Sequence, residues 1–521
     1  MVTTTYELQV DWDNNGDFIG TYDDITSDVL SVSFRRGRDY ASQLTGNSSA
    51  GKFTAILNNE SGKYSPLNAS SVLAGNILPA RSVRFGTGVS ASFPYTFPFN
   101  FSTEAQDMWV GKLQTIAPKP ASTALATCTL EAYGALGFLN EFMPKSTTEL
   151  NIRTDQAIGA ILDAADWSAT DRTLAEGKTT MTRWWTTDQA TIKALRLVEE
   201  TEAGFVRESY DGKIVFESRE TRLNPPYDAS LVTFSDAGGA THSYMTLKQE
   251  DPLGTVVNHV EAVYRGYTFS YFADLWTLGD TGADSPMLTP SEQRMWIASY
   301  PNTNSPLDAI EVNEWHDVTA STDYRGNLAA DGSGNDMTTY LDVDVVKTAT
   351  QMIITVTNTH TTDDVFITLL KARGDSVQGD DPVIVQAVDS ASQAIFGDRM
   401  HTAATEFIPT HVQAQSWCNY HMSIFKSPVP ILTMTFNANV SQNNMDQAME
   451  RDISDRVTVV AQNNANLGIN SEFFIENISH KIDQGGTVHN VTWMLSPAIG
   501  GYSQLWKLGE GILDQSTVPA F

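Results

Sequence analysis

Only two cysteines, Cys128 and Cys418, occur in the 521 residues. Two thiols exclude a disulfide framework and a multi-cysteine zinc site; one bridge is the most they could form, and the redox compartment stays open. Positive charge is scarce as well: 33 Lys and Arg stand against 62 Asp and Glu, a net charge of −29. Such a surface repels polyphosphate, and no basic run offers a local grip, so nucleic acid is not expected as a held ligand. No stretch of 18 apolar residues occurs, and the start MVTTTYELQV has neither the basic head nor the apolar run of a secretory signal. The expectation is a chain made in a cytoplasm that does not span a membrane. Local catalytic signatures are missing too. There is no His-Glu-x-x-His and no Gly-x-Ser-x-Gly, the nine histidines are scattered, and Cys418-x-x-His421 is too sparse for zinc. The expectation is a non-enzyme.

What is present describes a folded protein. Hydrophobic residues make up 41% and aromatics 10%, with 35 Gly and 20 Pro near average usage. At roughly 100–200 residues per domain the length predicts three or four units. Period-two alternation in Leu30–Phe34, Phe53–Leu57 and Thr127–Tyr133, with Gly, Asn and Pro between, makes residues 1–145 a small β-barrel or sandwich. Helical spacing follows: Ala157, Ile158, Ile161, Leu162 and Ala165 after Thr154, a candidate N-cap, then Ile192, Leu195 and Val198 after Asp188. A hairpin turning at Asp211-Gly212 completes an α/β unit over 146–222. Strand patterns at Leu341–Val345, Met352–Thr357 and Val365–Leu370 indicate a β-sandwich over about 291–400. A possible helix after Thr410 ends near Phe425, and a long hairpin turns at Asp483–Gly486. Residues 110–134 share the layout of 474–497, which suggests two barrels of one kind.

Three motifs bear on binding. Gly46–Lys52 has phosphate-loop spacing, but Phe53 replaces the Ser or Thr that would hold Mg²⁺ and a strand follows instead of a helix, so it reads as a plain turn. Asp11, Asp13, Asn15 and Asp17 place oxygens at alternate positions with Gly16 at the sixth, the arrangement of a calcium loop; Tyr22 occupies the twelfth place, where a Glu is wanted. An acidic turn is the competing reading, and Ca²⁺ is the one cofactor candidate. Phe93, Tyr95, Phe97, Phe99 and Phe101 stand at period two between Pro94 and Pro98. The prolines exclude a central strand, so the stripe reads as an edge segment that meets its own barrel or a neighbouring subunit.

Several of these stretches carry a resemblance. Val10–Phe18, Ile25-Thr26, Ser31–Arg38, Ala50–Asn59 with Gly62–Pro66, Ile354–Asn358, Leu370–Gly374, Phe396–Arg399 and the hairpin from His480 to Ser496 resemble baseplate or tail-hub (tail-tip, minor tail) proteins of long-tailed bacteriophages. The resemblance implies a mainly β, multidomain chain: two small β-barrels of hub type, an α/β insertion and an inserted β-sandwich. The second barrel would be split between 223–290 and 401–505, leaving 506–521 as a C-terminal extension. It further implies a structural protein of the virion tail tip, made in the host cytoplasm. Such a protein forms a homotrimer whose six barrels match a six-fold tube, and it contacts a distal tail protein, a tape measure and tail fibres. DNA would pass through without specific binding during ejection. The sandwich resembles carbohydrate-binding modules, so the alternative is a receptor-binding adhesin that recognises host glycan.

Overall fold

The computed structural model describes residues 2, 4–38, 47–87, 106–121, 124–144, 146, 149–186, 189–250, 253–264, 266–279, 282–299, 310–348, 351–379, 381–403, 407–408, 410–463, 467–498, 505–506 and 518–519. The first six strands are β1 (Tyr6–Val10), β2 (Val29–Arg38), β3 (Ser48–Asn58), β4 (Ser82–Thr87), β5 (Asp107–Lys119) and β6 (Thr127–Tyr133). They pair in the order β1-β4-β5-β6-β3-β2, all antiparallel. Alternation drives this: Leu8, Val32, Phe34, Phe53, Ala55, Leu57, Val83, Phe85 and Leu130 all point into one buried core.

The α/β unit follows with α1 (Ala135–Leu139), β7 (Glu149–Arg153), α2 (Thr154–Ala164), β8 (Arg172–Leu174), β9 (Thr180–Trp184), α3 (Thr191–Glu202), β10 (Phe205–Glu208) and β11 (Ile214–Glu217). Apolar faces of α2 and α3, including Ile158, Ile161, Leu195 and Val198, close a second core against Phe216 and Trp184. The hairpin turns through Gly212 at φ 81°, a left-handed value that glycine takes without strain. Thr154 is the first helical residue rather than the cap. Its hydroxyl donates instead to Glu202 Oε2 on α3 at 2.9 Å. Asp188 lies outside the described residues, and Ala190 caps α3.

Beyond come β12 (Val232–Ser235), β13 (Thr246–Glu250) and β14 (His259–Tyr264), then β15 (Tyr267–Thr277), β16 (Met287–Leu288), β17 (Gln293–Ser299), β18 (Ile310–Trp315), β19 (Tyr324–Asn327), β20 (Leu341–Lys347), β21 (Gln351–Asn358) and β22 (Val365–Gly379). Strands β15 to β22 form two sheets around one core that includes Leu288, Ile354, Val356, Val365 and Ile367. The chain returns through β23 (Val383–Val388), α4 (Ser390–Phe396), β24 (Met400–Thr402) and α5 (His411–Phe425), with Thr410 capping α5 through Gln413 N. It continues through β25 (Ile431–Asn437), α6 (Gln442–Glu450), β26 (Arg456–Ala461), β27 (Ile469–Asp483) and β28 (Val488–Pro497).

Two features differ from the sequence reading. Residues 257–290 and, in the second piece of the expected barrel, β24 and α5 up to Phe425 do not join the second strand set. β14 pairs with β23 and β24 in a separate small sheet under α5, and β15 and β16 belong to the sandwich. The physical reason is that β14 finds its partners more than 100 residues downstream, where the inserted chain returns. Second, neither strand set closes on itself among the described residues. β2 pairs with β3 on one edge and with β27 on the other, so the edge that could meet β1 is occupied and the sets merge into one twelve-stranded sheet.

The second set runs β12-β26-β27-β28-β25-β13. Ranked by position in the chain, both sets have the strand order 1-4-5-6-3-2. The hairpins β5–β6 and β27–β28, the pair with alike layouts in the sequence, hold equivalent central places.

Candidate functional site at the junction of the two strand sets

The sets meet where β2 runs antiparallel to β27, from Ser31 opposite Asp483 to Gly37 opposite Asn477. Gly37 has φ 111°, and a Cβ there would lie 2.3 Å from the Glu476 carbonyl oxygen, so only glycine allows this approach. On β2, Arg36 and Arg38 continue the inward register of Val32 and Phe34, and both are buried.

A buried ion network fills the space they enter. Glu476, with no exposed surface, accepts from Arg38 Nη2 at 2.8 Å, from Arg222 Nη1 and Nη2 at 2.7 and 3.0 Å, and from the Ser496 hydroxyl. Asp452 bridges Arg36 and Arg207, the latter at 3.0 Å. Arg207 also donates to Glu217 at 2.6 Å, and Glu217 accepts the Ser454 hydroxyl at 2.6 Å. The guanidinium carbons of Arg38 and Arg222 lie 4.6 and 4.7 Å from the centre of the Phe205 ring. Three segments are thereby tied together: β2 of the first set, Arg207, Glu217 and Arg222 of the α/β unit, and Asp452, Glu476 and Ser496 of the second set. Burial alone would raise the Glu476 carboxyl, but Arg222 and Arg38 outweigh it and hold that group far below the usual carboxylate range. Asp452 is likewise lowered against its own burial by Arg36 and Arg207.

Glu208 extends the network toward β3. It accepts from Gly51 N at 2.8 Å and Leu136 N at 2.6 Å, and burial pushes its carboxyl up to about 7 against these two donors. Gly51, the last glycine of the phosphate-loop-like stretch, is needed here because a Cβ would sit 2.3 Å from Glu208 Oε2. Residues 48–52 of that stretch form the start of β3, where Gly51 serves packing; Gly46 lies outside the described residues.

Beside the junction opens a cleft of about 670 Å³, lined by Tyr6, Val32, Phe85, Gln106, Met445 and Ile482 among others. In its wall the Tyr6 hydroxyl meets His489 Nδ1 at 2.8 Å, and His489 Nε2 meets His480 Nδ1 at 2.9 Å. Burial lowers His489 to about 4 and His480 well below its ordinary value, so this chain of groups is neutral near pH 7. Every carboxylate of the junction is engaged by arginine, serine or backbone donors. The arrangement holds the chain's own segments together.

In the candidate calcium loop the acidic and amide side chains accept from the loop's own backbone. Asp11 is buried and accepts from Asn15 N and Gly16 N, both at 3.1 Å; Asn15 Oδ1 accepts from Asp17 N at 2.9 Å; Asp17 Oδ1 accepts from Ile19 N at 3.1 Å. Asp13 is exposed, and Asn15 Nδ2 approaches its Oδ2 at 3.5 Å. Among the described residues no group of three or more His, Cys, Asp or Glu could hold a metal ion. The stripe Phe93, Tyr95, Phe97, Phe99 and Phe101 lies outside the described residues. Both cysteines are buried and free, so no bridge joins them.

The junction was missed in the sequence, although β2 carried its signal: arginines at 36 and 38 on the face already assigned to Val32 and Phe34 can be buried only against carboxylates. Their partners at 452 and 476 have no local signature.

No family model and no curated protein matches the chain. Solved structures do. The tail protein from Neisseria meningitidis MC58 aligns over 96% of this chain and 98% of its own at 9% identity, with a TM-score of 0.50. The chain shares the fold of this tail protein. The 43 kDa tail protein of prophage MuSo2 from Shewanella oneidensis aligns over 94% and 97% at 10% identity and a TM-score of 0.46. The E. coli c3393 protein, a type VI secretion component described as similar to T4 bacteriophage tail proteins gp27 and gp5, aligns over 90% and 73% at 7% identity and 0.38.

Proposed function

We infer that the protein is a structural component of a phage-type tail, at the hub of the tail tip or baseplate. The observation that carries this is the strand order 1-4-5-6-3-2, present twice in one chain and fused through the β2–β27 ladder. A chain with two like strand sets converts three-fold into quasi-six-fold symmetry: three copies present six like surfaces to a six-fold tube. The buried arginine network supports the reading, because it fixes the two sets rigidly relative to one another, as a ring element requires. The fold shared with the Neisseria tail protein agrees with it.

In this role the chain is a homotrimer that contacts other tail proteins, sits in the virion and leaves a channel for DNA. The charge of −29 per copy suits a channel wall that DNA slides past. Several of the few cations, Arg36, Arg38, Arg183, Arg207 and Arg222, are buried within the chain and cannot grip phosphate. Native mass measurement of the assembled complex, with imaging of the particle, tests the proposal. Three copies on the tail axis around an acidic lumen is the expected result. Six copies, a peripheral position, or tight DNA binding at physiological salt would overturn it.

A further inference from the structure

The sandwich carries a feature that holding a tail together does not explain. Opposite Asp375 of β22, both neighbouring strands bulge. On β15 the register jumps from Ser270–Ser376 to Ala273–Gly374, and on β18 it shifts between Val312 and Glu314. Tyr271 and Phe272 together stand opposite the single Asp375 in the β15 bulge, and both rings turn outward, 70% and 66% exposed. Phe272 has φ 53°, a left-handed conformation rare for an aromatic residue. The strain is held in place: Asp375 Oδ1 accepts from Phe272 N at 2.9 Å and contacts His316 Nε2 at 2.9 Å. The His316 ring in turn lies 4.1 Å from the Phe272 ring and backs one of its faces. Strained backbone, fixed by a dedicated carboxylate and used to turn two large rings into solvent, is a pattern of binding sites.

We propose that Tyr271, Phe272, Asp375 and His316 form a binding site for a neutral saccharide, with a pyranose ring lying against the aromatic platform and its hydroxyls meeting the Asp375–His316 pair. A pyranose offers a face of C–H groups and a rim of hydroxyls, which matches a flat ring beside a carboxylate and an imidazole. A protein hot spot would need a broader apolar centre, whereas this one is flanked along the chain by exposed Asp274, Glu314 and Asp317. The same acidic flank disfavours anionic sugars. Asp375 is lowered against its own burial by hydrogen bonds from His316 and the Phe272 backbone, so it stays an acceptor across neutral pH.

Saturation-transfer NMR on the full chain with cellotetraose, chitotetraose and maltotetraose, and with a tetragalacturonate as the anionic probe, tests this. Transfer to at least one neutral tetrasaccharide is expected, weaker for the anionic one. Phe272→Ala and Asp375→Asn should each weaken binding by about tenfold or more, the size of one lost ring contact or charged hydrogen bond. Tyr271→Ala, whose ring is outside the Asp375 hydrogen bonds, serves as a second variant should Asp375→Asn fail to fold, and it should weaken binding as well. No transfer to any neutral sugar, or unchanged binding in both ring variants, would overturn the site. So would loss of particle assembly in Phe272→Ala without sugar binding by the wild type, which would assign the rings to a protein neighbour. The hub reading does not depend on any of these outcomes.

Discussion

The two strand sets share one order but not one treatment of their ends. In the first set β1 lies antiparallel to β4; in the second its counterpart β12 lies parallel to β26. Between second and third strands the first set has only residues 39–47, whereas the second carries 251–430, including the whole sandwich. The central hairpins, by contrast, are alike, and both contribute heavily to buried cores: Leu113, Cys128, Leu130 and Ala132 in one, Ile475, Ile478, Val491, Trp493 and Leu495 in the other. The central hairpins keep one layout in both sets, while an outer strand and one connection differ, and the long connection brings buried cores of its own.

The sharpest way to break this pairing is at the junction. Glu476→Ala would leave Arg38 and Arg222 buried without their shared carboxylate, at a cost of about 3–5 kcal/mol. Denaturant unfolding should show the loss, and the first and second sets should then unfold at separate midpoints. One midpoint at unchanged denaturant concentration would mean that the network does not couple the sets.

Next in size is a pair of opposed pH effects, one on each side of β2. Glu208 has its carboxyl raised from 4.5 to about 7, so the folded state holds a proton that the unfolded state releases, and stability falls as pH rises from about 4.5 to 7. His489 is lowered from 6.5 to about 4, so its contribution is present above pH 6.5 and is lost as pH falls toward 4. Each shift corresponds to about 3 kcal/mol over its window. Relative to wild type, Glu208→Gln should therefore gain stability steadily from pH 4.5 to 7, and His489→Gln should gain it as pH falls from 6.5 to 4. Only these slopes matter, since either substitution also shifts stability uniformly. Parallel pH profiles for variant and wild type would remove the group from the account.

Much of this architecture was legible in the sequence, and the parts that were not have a common cause. Alternation located the hairpins at 110–134 and 474–497 and the strands at 341–358, because a half-buried strand writes its burial into every second residue. His259–Tyr264 alternates equally well, yet nothing in those six residues says that β23 is their partner. The buried network is similar: Arg36 and Arg38 announce burial in their register, but the carboxylates paired with them, Asp452 and Glu476, stand 416 and 438 residues away in the chain. Local chemistry can also serve two designs, as at Asp11–Asp17, where oxygens spaced for calcium are also spaced for a turn that bonds its own backbone.

That loop gives the finest comparison, since the counterpart connection in the second set, residues 236–245, uses one acidic side chain, Asp236, to hold Asn463 N at 3.0 Å. In the first set Asp11 instead holds its own loop: it is buried and receives two backbone donors from Asn15 and Gly16, while Asp13 is exposed and receives only a long contact from Asn15. If the loop is held by its own backbone, Asp11→Ala should cost about 1–3 kcal/mol by leaving Asn15 N and Gly16 N without their acceptor, and Asp13→Ala should stay within about 0.5 kcal/mol. A calcium site predicts another ranking, because Asp13 would then supply a charged ligand and its loss would lower the melting temperature in calcium but not in chelator. Melting wild type and both variants with and without calcium separates the two. The geometry favours equal melting in either condition and a loss confined to Asp11→Ala, because Asp11 holds two backbone N–H groups of the loop whereas exposed Asp13 receives one long contact.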